Sequence, residues 1–275
     1  MKELRTIIVT GASSGVGAYC ARALKADGWR VFATARKEED IAALETAGIE
    51  AFPLDYRDPA SIEALVAAVL ERTGGSLDAL YNNGAYAQAG AVEDVPVELL
   101  RQQFEANFFG WHDLTRRVMP AMRRQGHGRI VNCSSILGLV PLPYRGAYCA
   151  SKYALEGLML SMRQELAGSG IHVSLIEPGP IASDLHDNGL PWFRDSIDLE
   201  NSVHREAYRR QMDELWSGPP RAKAGPVVVY TALKHALLSR RPRPHYVVTM
   251  PARIGVVLKR ILPASLFYRL LARST

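Results

Sequence analysis

The sequence predicts an α/β fold: a doubly wound, three-layer sandwich around a mostly or wholly parallel sheet of seven strands. Two observations carry this. Short β-branched runs alternate with longer helical stretches along most of the 275 residues, the rhythm of a sheet built by helical crossovers. The runs are mainly apolar, as strands buried on both faces require. With 48% hydrophobic residues, the chain can bury one large core.

Taken in order, the strand candidates are Thr6–Thr10, Arg30–Ala35, Ile49–Leu54, Leu77–Tyr81, Arg129–Cys133, Ile171–Glu177 and Tyr246–Thr249. Helices are expected over Val16–Asp27, Glu38–Ala47, Pro59–Arg72, Val97–Gln125, Ala147–Ala167 and Pro226–Leu238. Residues 183–221 break the rhythm and read as a helical insertion after the sixth strand. Residues 251–275 read as a C-terminal extension, so that one domain spans 1–275 with these two additions.

Composition narrows the function. The N-terminus runs directly into the first strand, and no apolar run has spanning length, so a soluble cytoplasmic protein is expected. Cys20, Cys133 and Cys149 show no metal-ligand spacing; free thiols and no metal are the expectation. The net charge of +5 hides a split. Residues 221–275 hold 11 Lys or Arg and no acid, leaving 22 basic and 28 acidic groups before them. Such a tail suits an anionic partner, but no aromatic interleaving accompanies the charge and no nucleic-acid binding is inferred.

Three constellations carry chemistry. Thr10-Gly11-Ala12-Ser13-Ser14-Gly15-Val16-Gly17 joins the first strand to the first helix. Glycines there allow a tight turn and close backbone approach to a diphosphate, with the helix N-terminus adding partial positive charge; a plain structural turn is the alternative. The second strand ends in Arg36-Lys37, where a carboxylate would read the ribose 2′-hydroxyl of NAD. Two cations there suit a 2′-phosphate, or are simply solvated. Asp55, ending the third strand, reads either as a contact to an adenine amino group or as an ordinary turn carboxylate. Finally, Tyr148 and Lys152 stand four residues apart, on one face of a helix. An ammonium beside a phenol favours the phenolate and makes a proton donor and acceptor usable near neutral pH.

Together with Asn107 in Glu105-Ala106-Asn107-Phe108-Phe109-Gly110, Ser135 in Asn132-Cys133-Ser134-Ser135, and Pro178-Gly179, these motifs resemble the short-chain dehydrogenases/reductases over roughly residues 5 to 185. The wording from Tyr148 to Gly157 is closest to the steroid and retinol dehydrogenase-like branch. The resemblance implies a Rossmann-type fold binding a nicotinamide dinucleotide, NADP(H) in preference to NAD(H) on the reading of Arg36 and Lys37, and a tetrad of Asn107, Ser135, Tyr148 and Lys152. Ser135, thirteen residues before Tyr148, would hold the substrate oxygen. Tyr148 would exchange the proton, Lys152 would bind the nicotinamide ribose and lower the Tyr148 pKa, and Asn107 would hold a water linking Lys152 to solvent. Gly11, Ser13, Ser14, Gly15, Val16 and Gly17 would cradle the diphosphate. Asn83 and Gly84 would line the cofactor, and Pro178, Gly179, Ile181 and Ser183 would pack on the nicotinamide, Ser183 standing where Thr is usual. One departure is Asn82-Asn83-Gly84-Ala85, where the family has Asn-Asn-Ala-Gly. If positive φ is needed at the last position, Ala85 is strained and the loop shifts by one residue.

The implied activity is hydride transfer between NADP(H) and a hydrophobic alcohol or carbonyl compound, an aldehyde, ketone, steroid or retinoid. Leu185, Leu190, Trp192, Phe193, Ile197, Tyr208, Met212, Leu215 and Trp216 make the insertion an apolar lid, or else a surface elaboration. The rivals are a ketoreductase acting on carrier-bound 3-oxoacyl chains and a non-catalytic cofactor-binding sensor or scaffold. By analogy with the family, a homodimer or homotetramer is expected. The tail forms two amphipathic helices around Pro263 that pack on the body, close the cleft, or meet an anionic membrane surface.

Overall fold

In the computed structural model, residues 5–181, 193–194, 196–210 and 224–272 are described. Ser183 and, from the expected lid, Leu185, Leu190, Trp192, Met212, Leu215 and Trp216 lie outside the described residues. The strands are β1 (Thr6–Val9), β2 (Arg30–Ala35), β3 (Glu50–Pro53), β4 (Ala79–Asn82), β5 (Gly128–Cys133), β6 (Ile171–Pro178) and β7 (His245–Val248). The helices are α1 (Gly15–Ala26), α2 (Glu38–Thr46), α3 (Pro59–Arg72), α4 (Val97–Phe104), α5 (Gly110–Gln125), α6 (Gly146–Glu165), α7 (Val227–Leu238), α8 (Met250–Ile261) and α9 (Ala264–Ala272).

The sheet runs β3-β2-β1-β4-β5-β6-β7, every pair parallel. Successive side chains leave on opposite faces, so the sheet separates two cores. Ile7, Val9, Val31 and Val131 pack with α1 and α7 through Leu24, Val229 and Leu233. Ile8, Phe32, Leu80 and Ile130 pack with α3, α5 and α6 through Ile62, Leu114 and Leu155. Because β1 pairs with both β2 and β4, the winding reverses beside β1. In open parallel sheets that reversal opens a crevice at the carboxyl ends of the strands.

Three sequence expectations change. The single helix expected over Val97–Gln125 is two helices joined by a π turn at Glu105–Phe109, and Asn107 sits inside that turn. The last strand stops at Val248; Thr249 leaves it with φ +83 as the N-cap of α8, a costly conformation for a β-branched residue. Ala85 is not strained, since neither it nor Gly84 adopts the left-handed backbone.

The C-terminal helices do pack on the body. Ala252 and Phe267 are buried, and Lys259 Nζ donates to the Leu139 carbonyl and to the Tyr153 hydroxyl. The outer face of α8 is left bare: Met250, Ile254, Val257 and Ile261 are each at least half exposed.

Candidate active site

The crevice floor is the glycine turn between β1 and α1. A Cβ on Gly11 (φ +61) would fall 2.4 Å from Gly84 Cα, and one on Gly17 would fall 2.0 Å from the Gly11 carbonyl oxygen. The loops therefore meet backbone to backbone. Asn83 fastens them: its Nδ2 donates to the carbonyls of Thr10 and Gly11 at 3.1 and 3.3 Å. The Thr10 hydroxyl accepts from the N–H groups of Asn83 and Gly84 at 2.8 and 3.2 Å and from the Tyr56 hydroxyl at 2.8 Å. The Gly-Ala exchange at 84–85 thus keeps the residue the contact needs, a Cβ-free Gly84 against Gly11.

Above the turn, Ser13 and Ser14 are exposed and Gly15 has φ +53. Ser14 gives α1 no side-chain cap, and the first turn holds no acid. The leading N–H groups of a helix have no intrahelical partner, so they and the two hydroxyls are open to an anion, with Val16 turned inward onto the core. A dinucleotide diphosphate fits this cradle.

At the end of β2, Arg36 and Lys37 are exposed. Lys37 pairs with Glu39 at 3.1 Å; among the described residues Arg36 has no hydrogen bond, and its charge acts on Asp55. Asp55 accepts from Arg57 N, Nε and Nη2 at 2.9, 3.1 and 2.8 Å, the contacts of a turn carboxylate. Those bonds hold its carboxyl below the usual range.

Of the expected tetrad, the structure brings Ser135, Tyr148 and Lys152 together around the end of β5. Ser135 caps a short 3₁₀ turn, its Oγ accepting from Leu137 N at 3.1 Å, and lies beside the buried Tyr148 phenol. Burial pushes that phenol up, while Ser135 eases its ionisation. Lys152 is fully buried; its Nζ donates to the Cys133 carbonyl at 2.9 Å and stands 4.0 Å above the Trp111 ring. Burial pushes the ammonium down to about 8. Nζ lies 5.8 Å from the Tyr148 ring centre. Asn107 holds Tyr86 with its side-chain amide, accepting from N at 3.2 Å and donating to O at 2.8 Å.

Beyond β6, Gly179 N donates to the Val248 carbonyl at 3.2 Å. A Cβ on Gly179 would lie 2.3 Å from Thr249 Oγ1. Pro178 ends the strand, and Ile181 is buried and bridges to Ala224.

The sequence pattern described as "short chain dehydrogenase" matches residues 5–192. The chain belongs to that family. It is 37% identical over 270 residues to the uncharacterized oxidoreductase YbbO of Escherichia coli strain K12, covering 97% of this chain and 94% of the relative. With the uncharacterized oxidoreductase YusZ of Bacillus subtilis strain 168 it shares 36% over 248 residues, covering 86% and 87%. A short-chain dehydrogenase structure from Streptomyces avermitilis superposes with TM-score 0.79 at 31% identity, covering 94% and 93%. A single-residue variant of actinorhodin polyketide ketoreductase, solved with NADPH, superposes at 0.72 and 31%, covering 90% and 97%. The protein is therefore a short-chain dehydrogenase/reductase and an oxidoreductase.

In this short-chain dehydrogenase, several residues that build the site escaped the sequence reading. Thr10 and Tyr56 knit the turn, Trp111 seats Lys152 and donates its Nε1 to the Gly84 carbonyl at 2.9 Å, and Thr249 shoulders Gly179. Each acts through a contact distant in sequence, so no local pattern signals it. Of the expected lid, Phe193, Ile197 and Tyr208 are buried and form a satellite core with Ala91. Ala91 N donates to the Tyr208 hydroxyl at 2.8 Å, and that hydroxyl donates to Asp94.

Proposed function

We propose that this enzyme transfers a hydride between NADP(H) and a hydrophobic alcohol or carbonyl compound, with Tyr148 as general acid and base. The observation that carries the reading is the placement of the Tyr148 phenol beside Ser135, at the strand ends where the glycine cradle opens. The nicotinamide, when bound, supplies the hydride. Gly11, Ser13, Ser14, Gly15 and Gly17 would hold its diphosphate, Asn83 and Gly84 the rim, and Pro178, Gly179 and Ile181 the ring end. Ser135 Oγ positions the substrate oxygen, Tyr148 gives it a proton in reduction, and Lys152 keeps a buried positive charge behind the phenol.

Preference for NADP(H) rests on Arg36, an exposed guanidinium that no hydrogen bond from the described residues occupies, at the position where NAD readers place a carboxylate. Reduction is the favoured direction, because a 2′-phosphate preference usually accompanies a reduced cofactor pool. An apolar substrate suits the satellite core of Phe193, Ile197 and Tyr208, which Tyr144 flanks. A screen of aldehydes, ketones, steroids and retinoids with NADPH and NADH tests the reading; no turnover of any of them with either cofactor would sink it. The likeness to a polyketide ketoreductase favours carrier-bound 3-oxoacyl chains as a second substrate class for the same screen.

The bare stripe of α8 supports a peripheral contact with anionic membrane. Arg253 and Arg260 flank Met250, Ile254, Val257 and Ile261, and residues 221–275 contain no acid. Symmetric self-pairing of this face would set like charges together. The protein should sediment with phosphatidylglycerol vesicles at low salt and not with phosphatidylcholine alone, and Ile254→Asp should abolish it. Absence of sedimentation with the anionic vesicles excludes the contact.

A further inference from the structure

One turn beyond Lys152 on α6 lies a cluster that no step above uses. Glu156 is 5% exposed, and among the described residues neither of its carboxylate oxygens has a hydrogen-bond partner. Glu177 of β6 is fully buried. From β7, His245 Nδ1 comes 2.6 Å from Glu177 Oε1 and 3.6 Å from Glu156 Oε2. Tyr246 N donates to Glu177 Oε2 at 2.9 Å.

The cluster is continuous with the active site at one end. A Cβ on Gly138 would approach Ser134 Oγ at 2.9 Å, Glu156 Cγ at 3.2 Å and Lys152 Cβ at 3.2 Å. The three side chains therefore converge on one gap. Ser134 Oγ is buried without a completed hydrogen bond and faces Glu156. The other end is open to water, because the His245 side chain is 37% exposed.

Two carboxyl groups buried this closely resist joint ionisation. Burial, then the charge of Glu177, pushes Glu156 up to about 7, against the easing effects of Ser134, His245 and Lys152. Burial likewise pushes Glu177 up, and the hydrogen bond to Glu177 pushes His245 up against burial and the charge of Arg163. The cation this cluster fits is a proton. The 2.6 Å separation of Nδ1 and Oε1 is a hydrogen bond, whereas two ligands of one tetrahedral metal ion stand about 3.4 Å apart.

We propose that His245, Glu177 and Glu156 form a proton relay joining Lys152 to solvent at β7. It rests on the proton step assigned above to Tyr148. During reduction, His245 takes a proton from hydronium or a buffer acid at its exposed edge and releases one from Nδ1 to the carboxylate pair. The Glu156 carboxylic acid then gives its proton, through a water in the gap beside Ser134, to the Lys152 amine, replacing the one passed toward the Tyr148 phenolate. One proton enters from solvent for each one placed on the substrate oxygen, and the relay moves no electrons. Glu156, Glu177 and His245 act through Lys152 and are positioning residues.

The test uses Glu156→Gln and His245→Asn in the full chain. Carbon-13 NMR of glutamate-labelled protein should show one carboxyl titrating near 7 in the wild type and absent from E156Q. With NADPH and a carbonyl substrate the wild type turns over, E156Q should lower kcat about tenfold or more, with KM little changed, and should lose an ionisation near 7 from the pH profile. H245N should be slowed and then restored by added imidazole. The relay is overturned if no glutamate titrates above the ordinary range. It is equally overturned if E156Q or H245N folds normally and keeps the wild-type profile, or if the purified protein carries a stoichiometric divalent cation. Inactive Tyr148→Phe alongside an unaffected E156Q would sink the relay alone; active Tyr148→Phe would sink the proton step on which it rests.

Discussion

Gly17→Ala tests the cofactor cradle most severely for the smallest change. The new Cβ would lie 2.0 Å from the Gly11 carbonyl oxygen and 2.6 Å from Asn83 Nδ2. Ordinary contact needs about 3.2 Å or more, so the Gly11 peptide must retreat by roughly 1 Å. It has nowhere to go, because Gly84 closes its other side and is itself held by the Trp111 indole. The two Asn83 hydrogen bonds to the turn are then lost, at about 1 kcal/mol each. With overpacking strain of about 1–3 kcal/mol the total destabilisation is about 3–5 kcal/mol. Displaced N–H groups lose at least one charge-assisted bond to the diphosphate, about 1.5–3 kcal/mol, or roughly 10- to 100-fold in cofactor affinity. Thermal melting and fluorescence titration with NADPH read the two effects. Gly157→Ala is the control, since nothing lies within 4 Å of its added Cβ; mid-helix it should gain about 0.5–1 kcal/mol. A G17A protein that melts with the wild type and binds NADPH within threefold would refute the reasoning.

Three further outcomes follow from the same geometry. Arg36→Asp should weaken NADPH at least tenfold more than NADH by titration; equal loss would show that Arg36 does not read the phosphate. Burial holds the Lys152 ammonium down to about 8, so its charged form prevails below that value. Turnover that depends on it should fall as pH rises through about 8, and a profile flat to pH 10 contradicts the role. Tyr208→Phe removes a hydroxyl bonded to Ala91 N and Asp94, leaving a buried donor unmet, and should cost about 1–3 kcal/mol by denaturant melting; unchanged stability contradicts the satellite core.

What the sequence revealed, and what it hid, divides along the range of the contacts involved. β1 and β4 were legible because burial on both faces leaves an unbroken apolar run. The glycine turn was legible because its chemistry is local. The π turn was hidden: residues 97–125 carry an uninterrupted helical pattern, and the side chain inside the π turn, Asn107, is bonded to a backbone segment 21 residues away. The Tyr148–Lys152 spacing revealed a shared helix face but not that Trp111 and the Cys133 carbonyl seat the ammonium. Gly84-Ala85 looked strained because local reasoning weighs φ, whereas the structure needs close approach to Gly11. The relay joins residues of α6, β6 and β7, and no spacing along the chain could show it.

The proposed catalysis turns on the Tyr148 phenol as proton donor. Steady-state turnover of Tyr148→Phe, with NADPH and a carbonyl compound the wild type accepts, tests that directly. Removing a positioned general acid should lower kcat roughly 10²- to 10⁴-fold while NADPH affinity stays near the wild-type value. Near-normal turnover by Y148F on such a substrate would contradict it.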